Sequence, residues 1–288
     1  MTPKSFFLFF MTLVFLTPVS AQIMVPDMER HSLFSKTGFV IYEYRDDQRR
    51  ESRGVCTGTL ISLQHVITAA HCGFARNTFS GKSLTSISFL FREDLEKYSS
   101  FNGPQGHKRK FKTAYLLKNW LEPKPPHYSD EEISRGVALF FRSNFDILLL
   151  ELAEKVETDV TSIGIFLNMP GDYCVAGYPI VAFGDMYELC AGALFNSFFA
   201  QFLNHNQLLD YNLLPGAWDG LSGSAATDSR GQLIGILSSY VGFEGKGKYP
   251  KITALTQDLH NEVSLWLSGK TSSQSVALSL SQLVTIHP

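Results

Sequence analysis

The chain has 288 residues, of which 44% are hydrophobic, 18% charged and 13% aromatic. This length and this hydrophobicity exclude a disordered chain and predict one large domain or two small ones with a substantial core. The formal net charge of −2 does not favour a nucleic-acid or anionic-membrane partner, since such partners select basic surfaces.

The amino terminus is typical of a secretory signal peptide. Lys4 precedes a mostly apolar run from Phe6 to Leu16, and Val19-Ser20-Ala21 places small residues where a signal peptidase cuts. The run is shorter than the roughly 18–20 residues that a membrane-spanning helix needs. We therefore expect residues 1–21 to be removed, the protein to be secreted or periplasmic, and no membrane span in the remainder.

The rest of the chain begins with a polar segment and continues in short apolar runs. Residues 22–36 are predicted to be a pro-segment or an N-terminal arm. The runs that follow alternate with turn residues, which favours an all-β barrel or sandwich over a parallel α/β fold, because few long helical periods separate them. The predicted strands are Gly38–Tyr44, Cys56–Ser62, Val66–Thr68, Ser86–Phe91, Asp146–Leu152, Tyr173–Ala176, Leu189–Phe195, Gln232–Leu237 and Ile252–Ala254.

One helix is predicted near the end of the chain, at about residues 256–268. Apolar residues recur there every four positions from Leu255 to Leu267, and Gly269 can end the helix. The tail, residues 270–288, is rich in Ser and Leu and is either disordered or an added strand.

Two further segments differ in composition from the strands. Arg92–Arg135 is polar and charged, with basic residues close together at 108–110 and 112. We interpret it as a solvated surface insertion, with an anion-binding patch as the alternative. Glu154–Ser162 is a candidate linker between two halves.

The four cysteines, Cys56, Cys72, Cys174 and Cys190, are candidate disulfide partners, because an exported chain meets oxidising conditions. Cys56, Cys72, His65 and His71 could also be read as zinc ligands. The chain has no Cys-x2-Cys pair, however, and export favours disulfides, so we predict no metal site.

The first motif with chemical meaning is Ile67-Thr-Ala-Ala-His71-Cys72. A strand runs into a small-residue turn that presents His71, and a Cys56–Cys72 bridge would pin that turn to the preceding strand. A histidine that acts as general base must be held within hydrogen-bond reach of a nucleophile, so this rigidity suits catalysis.

The second motif is Asp146 at the start of the apolar run Ile147–Leu152. A carboxylate there is partly buried and needs a polar partner, for which an imidazole N–H is suitable. The alternative is an Asp that only caps a turn before the strand.

The third motif is Gly220-Leu-Ser222-Gly-Ser224. A serine between glycines permits an unusual turn with an exposed hydroxyl. The backbone N–H groups of Gly220 and Ser222 could then converge on one oxygen, as an oxyanion hole requires. The order His, Asp, Ser differs from that of α/β-hydrolases, and an ordinary glycine-rich turn is the alternative.

Together the three motifs resemble those of the chymotrypsin-like (trypsin-fold) serine proteases, over most of the chain from Gly38 to Gly269. The segments LISLQHVITAAHC, DILLLEL and GLSGSA carry the likeness. The Gly-x-Ser-Gly-Ser form is most similar to the bacterial glutamyl-endopeptidase-like branch. The resemblance implies His71 as base, Asp146 as the residue that orients it, and Ser222 as nucleophile.

The resemblance also implies an architecture. A peptidase domain at residues 37–269 would hold two antiparallel six-stranded β-barrels, at about 37–155 and 160–255, followed by the C-terminal α-helix. The site would lie in the cleft between the barrels.

Two departures from the family bear on activation and specificity. Leu221 stands where the trypsin branch has an Asp that pairs with a newly freed terminal amine, so activation in that form is not expected, although a cleavage within residues 22–36 remains open. The expected pocket residues are Gly216, Ala217, Asp219, Leu237 and Ser238. Gly216, Ala217 and Leu237 predict a neutral, apolar-tolerant pocket and favour neither a Lys/Arg nor a Glu preference; the alternative is that Asp219 biases the rim toward basic groups.

The sequence therefore predicts a secreted serine endopeptidase that acts on protein or peptide substrates through an acyl-enzyme and needs no cofactor. The main alternative is a catalytically silent, protease-like binding module. A non-peptidase hydrolase such as an esterase is the third reading.

Overall fold

The computed structural model describes residues 23–24, 32–46, 48–74, 82–99, 103–121, 145–166, 172–180, 185–194, 206–209, 219–243 and 247–285. The predicted signal peptide, most of the predicted N-terminal arm, Phe195, and the pocket residues Gly216 and Ala217 lie outside the described residues.

The described part of the chain is built mainly of β-strands, joined by short helices. In chain order the strands are β1 (Ile23–Met24), β2 (Thr37–Asp46), β3 (Glu51–Ser62), β4 (His65–Thr68), β5 (Lys82–Phe91), β6 (Leu95–Ser99), β7 (Gly103–Gly106), β8 (Arg109–Leu117), β9 (Leu148–Leu152), β10 (Asp172–Gly177), β11 (Tyr187–Leu194), β12 (Asn206–Leu209), β13 (Ala225–Thr227), β14 (Leu233–Phe243), β15 (Gly247–Ala254) and β16 (Ser275–Ser279). The helices are α1 (Lys118–Leu121), α2 (Gln257–Leu267) and α3 (Leu280–Thr285), and 3₁₀ turns cover Phe34–Lys36 and Ala70–Cys72.

Six antiparallel strands close into a barrel in the N-terminal half, in the order β8-β5-β2-β3-β4-β9, with β9 pairing back onto β8. Strand β9 shows why its sequence is apolar at nearly every position. Leu148, Leu150 and Leu152 fill the barrel interior. Leu149 and the preceding Ile147 face outward into a second buried cluster, so both faces of the strand are covered.

The C-terminal half pairs its strands in the order β11-β10-β13-β14-β15-β12, and β11 pairs in turn with β12. An apolar cluster forms within this sheet and includes Val175, Leu221, Ile234, Leu237 and Ile252. The all-β, chymotrypsin-like arrangement of strands predicted from the sequence is thus present.

The predicted C-terminal helix is α2. The Thr256 hydroxyl accepts a hydrogen bond from the backbone N–H of Leu259 and caps its first turn. Val263 and Trp266 are fully buried in the cluster that also holds Leu149. Gly269, with φ +73°, follows the helix in a conformation that glycine adopts readily. The helix therefore covers one side of the contact between the two halves.

The chain continues past α2 and returns to the N-terminal barrel. β16 pairs antiparallel with β8, from Ser275 opposite Leu117 to Ser279 opposite Thr113. The backbone N–H of Lys118 donates to the Gln274 carbonyl at 2.8 Å. Of the two readings of the tail, the structure has the added strand. None of the helices in the described residues is long and apolar enough to cross a bilayer.

The prediction of a surface insertion at Arg92–Arg135 was wrong for its central part, because β8 is a strand of the barrel. Phe111 and the run Ala114–Leu117 are buried on it, whereas Lys110 and Lys112 face outward. Three of the four basic residues here are paired with acids: Lys108 with Glu43 at 3.6 Å, Arg109 with Asp94 at 2.9 Å, and Lys112 with Glu151 at 2.7 Å. This pairing does not favour an anion site.

Candidate active site

His71 lies on the 3₁₀ turn that directly follows β4. The Cys56–Cys72 disulfide joins this turn to β3, as predicted. Strands β3 and β4 are also paired with each other, with Thr59 opposite Ile67. His71 is therefore fixed by a covalent bond and by strand pairing, and its side chain remains 30% exposed.

Asp146 meets His71 because β9, which it precedes, pairs with β4. Its Oδ2 lies 2.7 Å from Nδ1 of His71, and its Oδ1 accepts the backbone N–H of His71 at 2.8 Å. An ionised carboxylate can only accept, so Nδ1 carries the proton and Nε2 is left with its lone pair on the opposite side of the ring. The Asp146 side chain is only 3% exposed, which strengthens this pairing.

Ser238, on β14, is the third group at the carboxylate. Its hydroxyl donates to Oδ2 of Asp146 at 2.5 Å. The sequence predicts Ser238 as a residue of the substrate pocket, and in the structure its hydroxyl lies against the carboxylate of Asp146. The sequence around Ser238 carries no signal for this contact, which depends on a strand from the other half of the chain.

The electrostatic environment of His71 combines two opposed effects. Burial of the ring lowers its pKa, whereas the negative charge of Asp146 and the hydrogen bond to it raise the pKa, and the pKa ends above its ordinary value of 6.5. Such a ring accepts a proton readily and is stabilised as imidazolium, as a general base needs.

A buried lysine lies within electrostatic reach of the Asp146 carboxylate. Lys251, on β15, is fully buried. Burial lowers the pKa of Lys251 to about 7, although the charge of Asp146 acts to raise it. Lys251 is not among the predicted site residues, because nothing in the sequence pattern of β15 distinguishes a buried lysine from an exposed one.

Ser222 lies on a turn, residues 219–224, that we call the serine turn. Gly220 and Gly223 on it have φ +91° and +82°. A Cβ on Gly223 would lie 2.1 Å from the Thr68 hydroxyl, so the turn approaches β4 as closely as glycine allows. The backbone N–H of Thr57 also donates to the Ser222 carbonyl at 2.8 Å. These contacts bring the serine turn against the strands that carry His71.

The two N–H groups predicted to form an oxyanion hole lie on peptide units that are held from their carbonyl side. The carbonyl of Asp219 accepts from Ile180 N–H at 2.6 Å, and that of Leu221 accepts from Ser224 N–H at 2.9 Å. In a trans peptide the C=O and N–H point in opposite directions, and the described residues include no cis peptide. The N–H groups of Gly220 and Ser222 therefore point away from these partners.

The hydroxyl of Ser222 and the Nε2 of His71 make no hydrogen bond, either to each other or to another group, within the described parts of the chain. In serine hydrolases this bond commonly tightens only when substrate is bound.

Of the remaining predicted pocket residues, Leu237 is buried in the apolar cluster with Leu221, and Asp219 is exposed. The predicted bridge between Cys174 and Cys190 is present, between β10 and β11. Cys56, Cys72 and His71 lie close together. The two sulfurs are joined in a disulfide, however, and so offer no thiolate to a metal. His65 hydrogen-bonds instead with Ser62, at 2.7 Å.

Comparison with known proteins supports this fold. A Glu endopeptidase superposes with a TM-score of 0.54 at 16% identity, over 86% of this chain and 97% of that one. The VesB protease of Vibrio cholerae gives a TM-score of 0.50 at 16% identity, over 85% of this chain and 68% of that one.

Sequence comparison finds similarity to the proteins named serine protease 23 of Mus musculus and Rattus norvegicus. Each is 27% identical over 137 residues, which are 47% of this chain and 34% of the relative. The similarity thus spans about a third of the length of these relatives. No family model matches the chain. The three motifs, the strand order and these likenesses agree that the chain has the fold of the chymotrypsin-like serine proteases.

Proposed function

We propose that this chain is an exported serine endopeptidase that hydrolyses peptide bonds in protein or peptide substrates with Ser222, His71 and Asp146. The observation that carries the proposal is the buried carboxylate of Asp146, 2.7 Å from Nδ1 of His71, with the serine turn packed against the same strands. A buried acid that fixes one tautomer of a partly exposed imidazole leaves Nε2 able to act as a base.

The mechanism follows from these positions. His71 Nε2 removes the Ser222 proton while Oγ attacks the carbonyl carbon of the substrate. The N–H groups of Gly220 and Ser222 stabilise the oxyanion of the tetrahedral intermediate, and His71 then passes the proton to the leaving amine. Water, deprotonated by the same imidazole, hydrolyses the acyl-enzyme on Ser222. Asp146 stabilises the imidazolium formed in each half of the reaction.

Export is supported by the cysteines and by the amino terminus. Both cysteine pairs are oxidised to disulfides, which persist in secreted and periplasmic proteins and are rare in the cytosol. We propose that residues 1–21 act as the signal peptide, because the apolar run there has the length of an export signal.

The second candidate function is a protease-like binding module. The observation that favours it is the missing hydrogen bond between the Ser222 hydroxyl and His71 within the described residues. The two functions predict different chemistry at Ser222, because only a competent triad activates a serine hydroxyl toward an electrophile.

Labelling with a fluorophosphonate probe separates the two. We expect covalent modification of the processed protein at Ser222, identified by mass spectrometry, and its loss in Ser222→Ala and His71→Ala. Ser88→Ala, which removes a buried serine hydroxyl from β5, is the matched control and should label normally. Absence of labelling in the folded wild-type protein would reject the endopeptidase and favour the binding module.

A further inference from the structure

Thr57, on β3, makes three hydrogen bonds to the C-terminal half of the chain, two of them to the serine turn. Its backbone N–H donates to the Ser222 carbonyl at 2.8 Å. Its hydroxyl donates to the Gly220 carbonyl at 2.8 Å and accepts the backbone N–H of Tyr178 at 3.0 Å. One residue of the first barrel therefore bonds two carbonyls of the turn and one segment that packs beside it.

We propose that Thr57 is the positioning residue of the oxyanion hole: its hydroxyl and N–H hold the serine turn in the conformation that stabilises the tetrahedral intermediate. This inference rests on the proposed function and names a residue that acts through Gly220 and Ser222, without touching the substrate itself.

The peptide units of the serine turn are each held by a hydrogen bond. The unit that carries Gly220 N–H is held at the Asp219 carbonyl, and the unit that carries Ser222 N–H is held at the Leu221 carbonyl. The units with the Gly220 and Ser222 carbonyls are both held by Thr57. The second of them is also held at its other end, where Gly223 N–H donates to the Leu237 carbonyl at 2.7 Å. Reorientation of the units that carry the Gly220 and Ser222 N–H groups needs changes of φ and ψ at the Cα atoms they share with these held units, so the bonds to Thr57 limit it.

The hydroxyl of Thr57 has a defined orientation. It has one proton, which goes to the Gly220 carbonyl, and one of its lone pairs takes the Tyr178 N–H. The segment that includes Tyr178 also meets the turn directly, since Ile180 N–H donates to Asp219 at 2.6 Å. The hydroxyl thus locks together two segments whose peptide units orient the Gly220 N–H.

Thr57 is itself held rigidly. It is fully buried and lies opposite Phe39 of β2 in the barrel register. Its carbonyl accepts the hydroxyl proton of Thr68, the last residue of β4, at 2.8 Å. The neighbouring Cys56 is bonded to Cys72, next to His71. The turn that carries His71 and the turn that carries the oxyanion hole are therefore both held by the same short segment of β3, Cys56 and Thr57.

The residue before the nucleophile adds no charged group to the restraint of the turn. Leu221 is fully buried in the apolar cluster with Val175, Ile234 and Leu237. An apolar side chain there cannot form an ion pair that would hold the turn from its own half of the molecule. The N-terminal barrel supplies the hydrogen bonds to the Gly220 and Ser222 carbonyls through Thr57, in addition to the bond from Gly223 N–H to the Leu237 carbonyl within the C-terminal half.

The test compares three variants on the full chain. Thr57→Val removes the hydroxyl at nearly constant volume, Thr57→Ser keeps it, and Thr59→Val removes another buried hydroxyl of β3, which lies 3.5 Å from that of Thr37. We expect Thr57→Val to lower the rate of fluorophosphonate labelling and kcat on a peptide substrate by about 10- to 100-fold with little change in KM. This is less than the roughly 10²- to 10³-fold loss that follows removal of an oxyanion donor, because both N–H groups remain. Thr57→Ser should restore most of the rate, and Thr59→Val should leave it unchanged.

A second measurement does not depend on activity. In a Ser222→Ala background, amide hydrogen exchange of residues 219–224 reports how tightly the turn is held. The two variants are compared under conditions where their global stabilities are equal. We then expect faster amide exchange at Gly223 and Ser224 in Thr57→Val than in Thr59→Val. If Thr57→Val does not fold, Thr57→Ala removes the same hydroxyl without a branched side chain.

The outcomes separate the two proposals. If the wild-type protein is labelled, and Thr57→Val matches Thr59→Val in labelling rate and in amide hydrogen exchange, the role of Thr57 is overturned. The endopeptidase proposal then still stands. An unlabelled wild-type protein overturns the endopeptidase. In that case, faster exchange in Thr57→Val still supports the contact as the restraint on the turn, and unchanged exchange overturns it.

Discussion

Ser238 donates its hydroxyl proton to the carboxylate oxygen of Asp146 that also faces the His71 ring. The two donors lie 2.5 Å and 2.7 Å from Oδ2, and the backbone N–H of His71 occupies Oδ1. With both oxygens bonded, the carboxylate cannot rotate without breaking charge-assisted hydrogen bonds. The orientation of the imidazole therefore depends on a hydroxyl supplied by the C-terminal half of the chain.

Ser238→Ala tests this dependence. We expect the labelling rate to fall about tenfold, the equivalent of one hydrogen bond to a charged group. We also expect the pKa of His71 to rise further. Without the Ser238 hydroxyl, Oδ2 accepts a hydrogen bond from the ring alone, and its negative charge stabilises the imidazolium more strongly. The measurement is the labelling rate as a function of pH. Thr227→Val, which removes the buried hydroxyl that donates to the Cys174 carbonyl, is the control, and equal rates in the two variants would refute the role of Ser238.

The pH dependence of the wild-type protein follows from His71. The general base must be neutral, and Asp146 raises the pKa of His71 above 6.5. We therefore expect the labelling rate to rise with pH and to reach half its maximum above pH 6.5. Asp146→Asn removes the charge that raises the pKa, so the midpoint should move to lower pH while the maximal rate falls about 10⁴-fold. A rate that is flat between about pH 5 and 8 would contradict the role of His71.

Lys251 gives a prediction about stability. Burial lowers its pKa from 10.5 to about 7, so the unfolded chain binds this proton more tightly than the folded one. The resulting penalty is complete below pH 7 and disappears as the pH rises through 10.5. We expect Lys251→Met to raise the free energy of unfolding at pH 7 by about 2–4 kcal/mol.

Urea denaturation at pH 6, 8.5 and 10 checks this. The gain in Lys251→Met should shrink as the pH rises. A variant that is less stable than the wild type by the same amount at all three pH values would show that Lys251 stabilises the fold through its own contacts. The pH–rate profile of Lys251→Met also shows which part of the wild-type profile belongs to His71.

Local sequence predicted the parts of the site that lie on one strand or one turn. His71 follows β4 and Asp146 precedes β9, and pairing of these two strands brings the residues together. A polar partner for Asp146 was predicted because a carboxylate at the start of a buried strand needs one, and in the structure the His71 ring lies 2.7 Å from it. Ser238 and Thr57 were not assigned these contacts, because each depends on a hydrogen bond between distant segments that leaves no local pattern.

The strand β8 was missed for a different reason. Lys110 and Lys112 face outward and alternate with the buried Phe111, so the segment reads as charged rather than as a barrel strand. Lys112 is paired with Glu151 on the neighbouring strand β9, at 2.7 Å. Cross-strand ion pairs of this kind suit an exposed sheet face, but they are invisible before the pairing of the strands is known.

The two disulfides should contribute equally to the stability of the fold but unequally to catalysis. Each joins cysteines 16 residues apart, so in the chain-entropy account each should stabilise the fold by about 3 kcal/mol. Only Cys56–Cys72 holds the turn that carries His71. We expect replacement of either pair by alanine to lower the free energy of unfolding similarly, whereas only Cys56→Ala/Cys72→Ala lowers the labelling rate of the folded protein, by about tenfold.

Urea denaturation and labelling below the unfolding transition measure the two effects separately. Cys174→Ala/Cys190→Ala is the matched control, because it opens a loop of equal length between β10 and β11. A similar loss of labelling rate in both double variants would mean that the disulfides act only through global stability. The pinning of His71 to β3 would then contribute nothing specific to the reaction, since strand pairing and the Asp146 carboxylate would suffice to hold the ring.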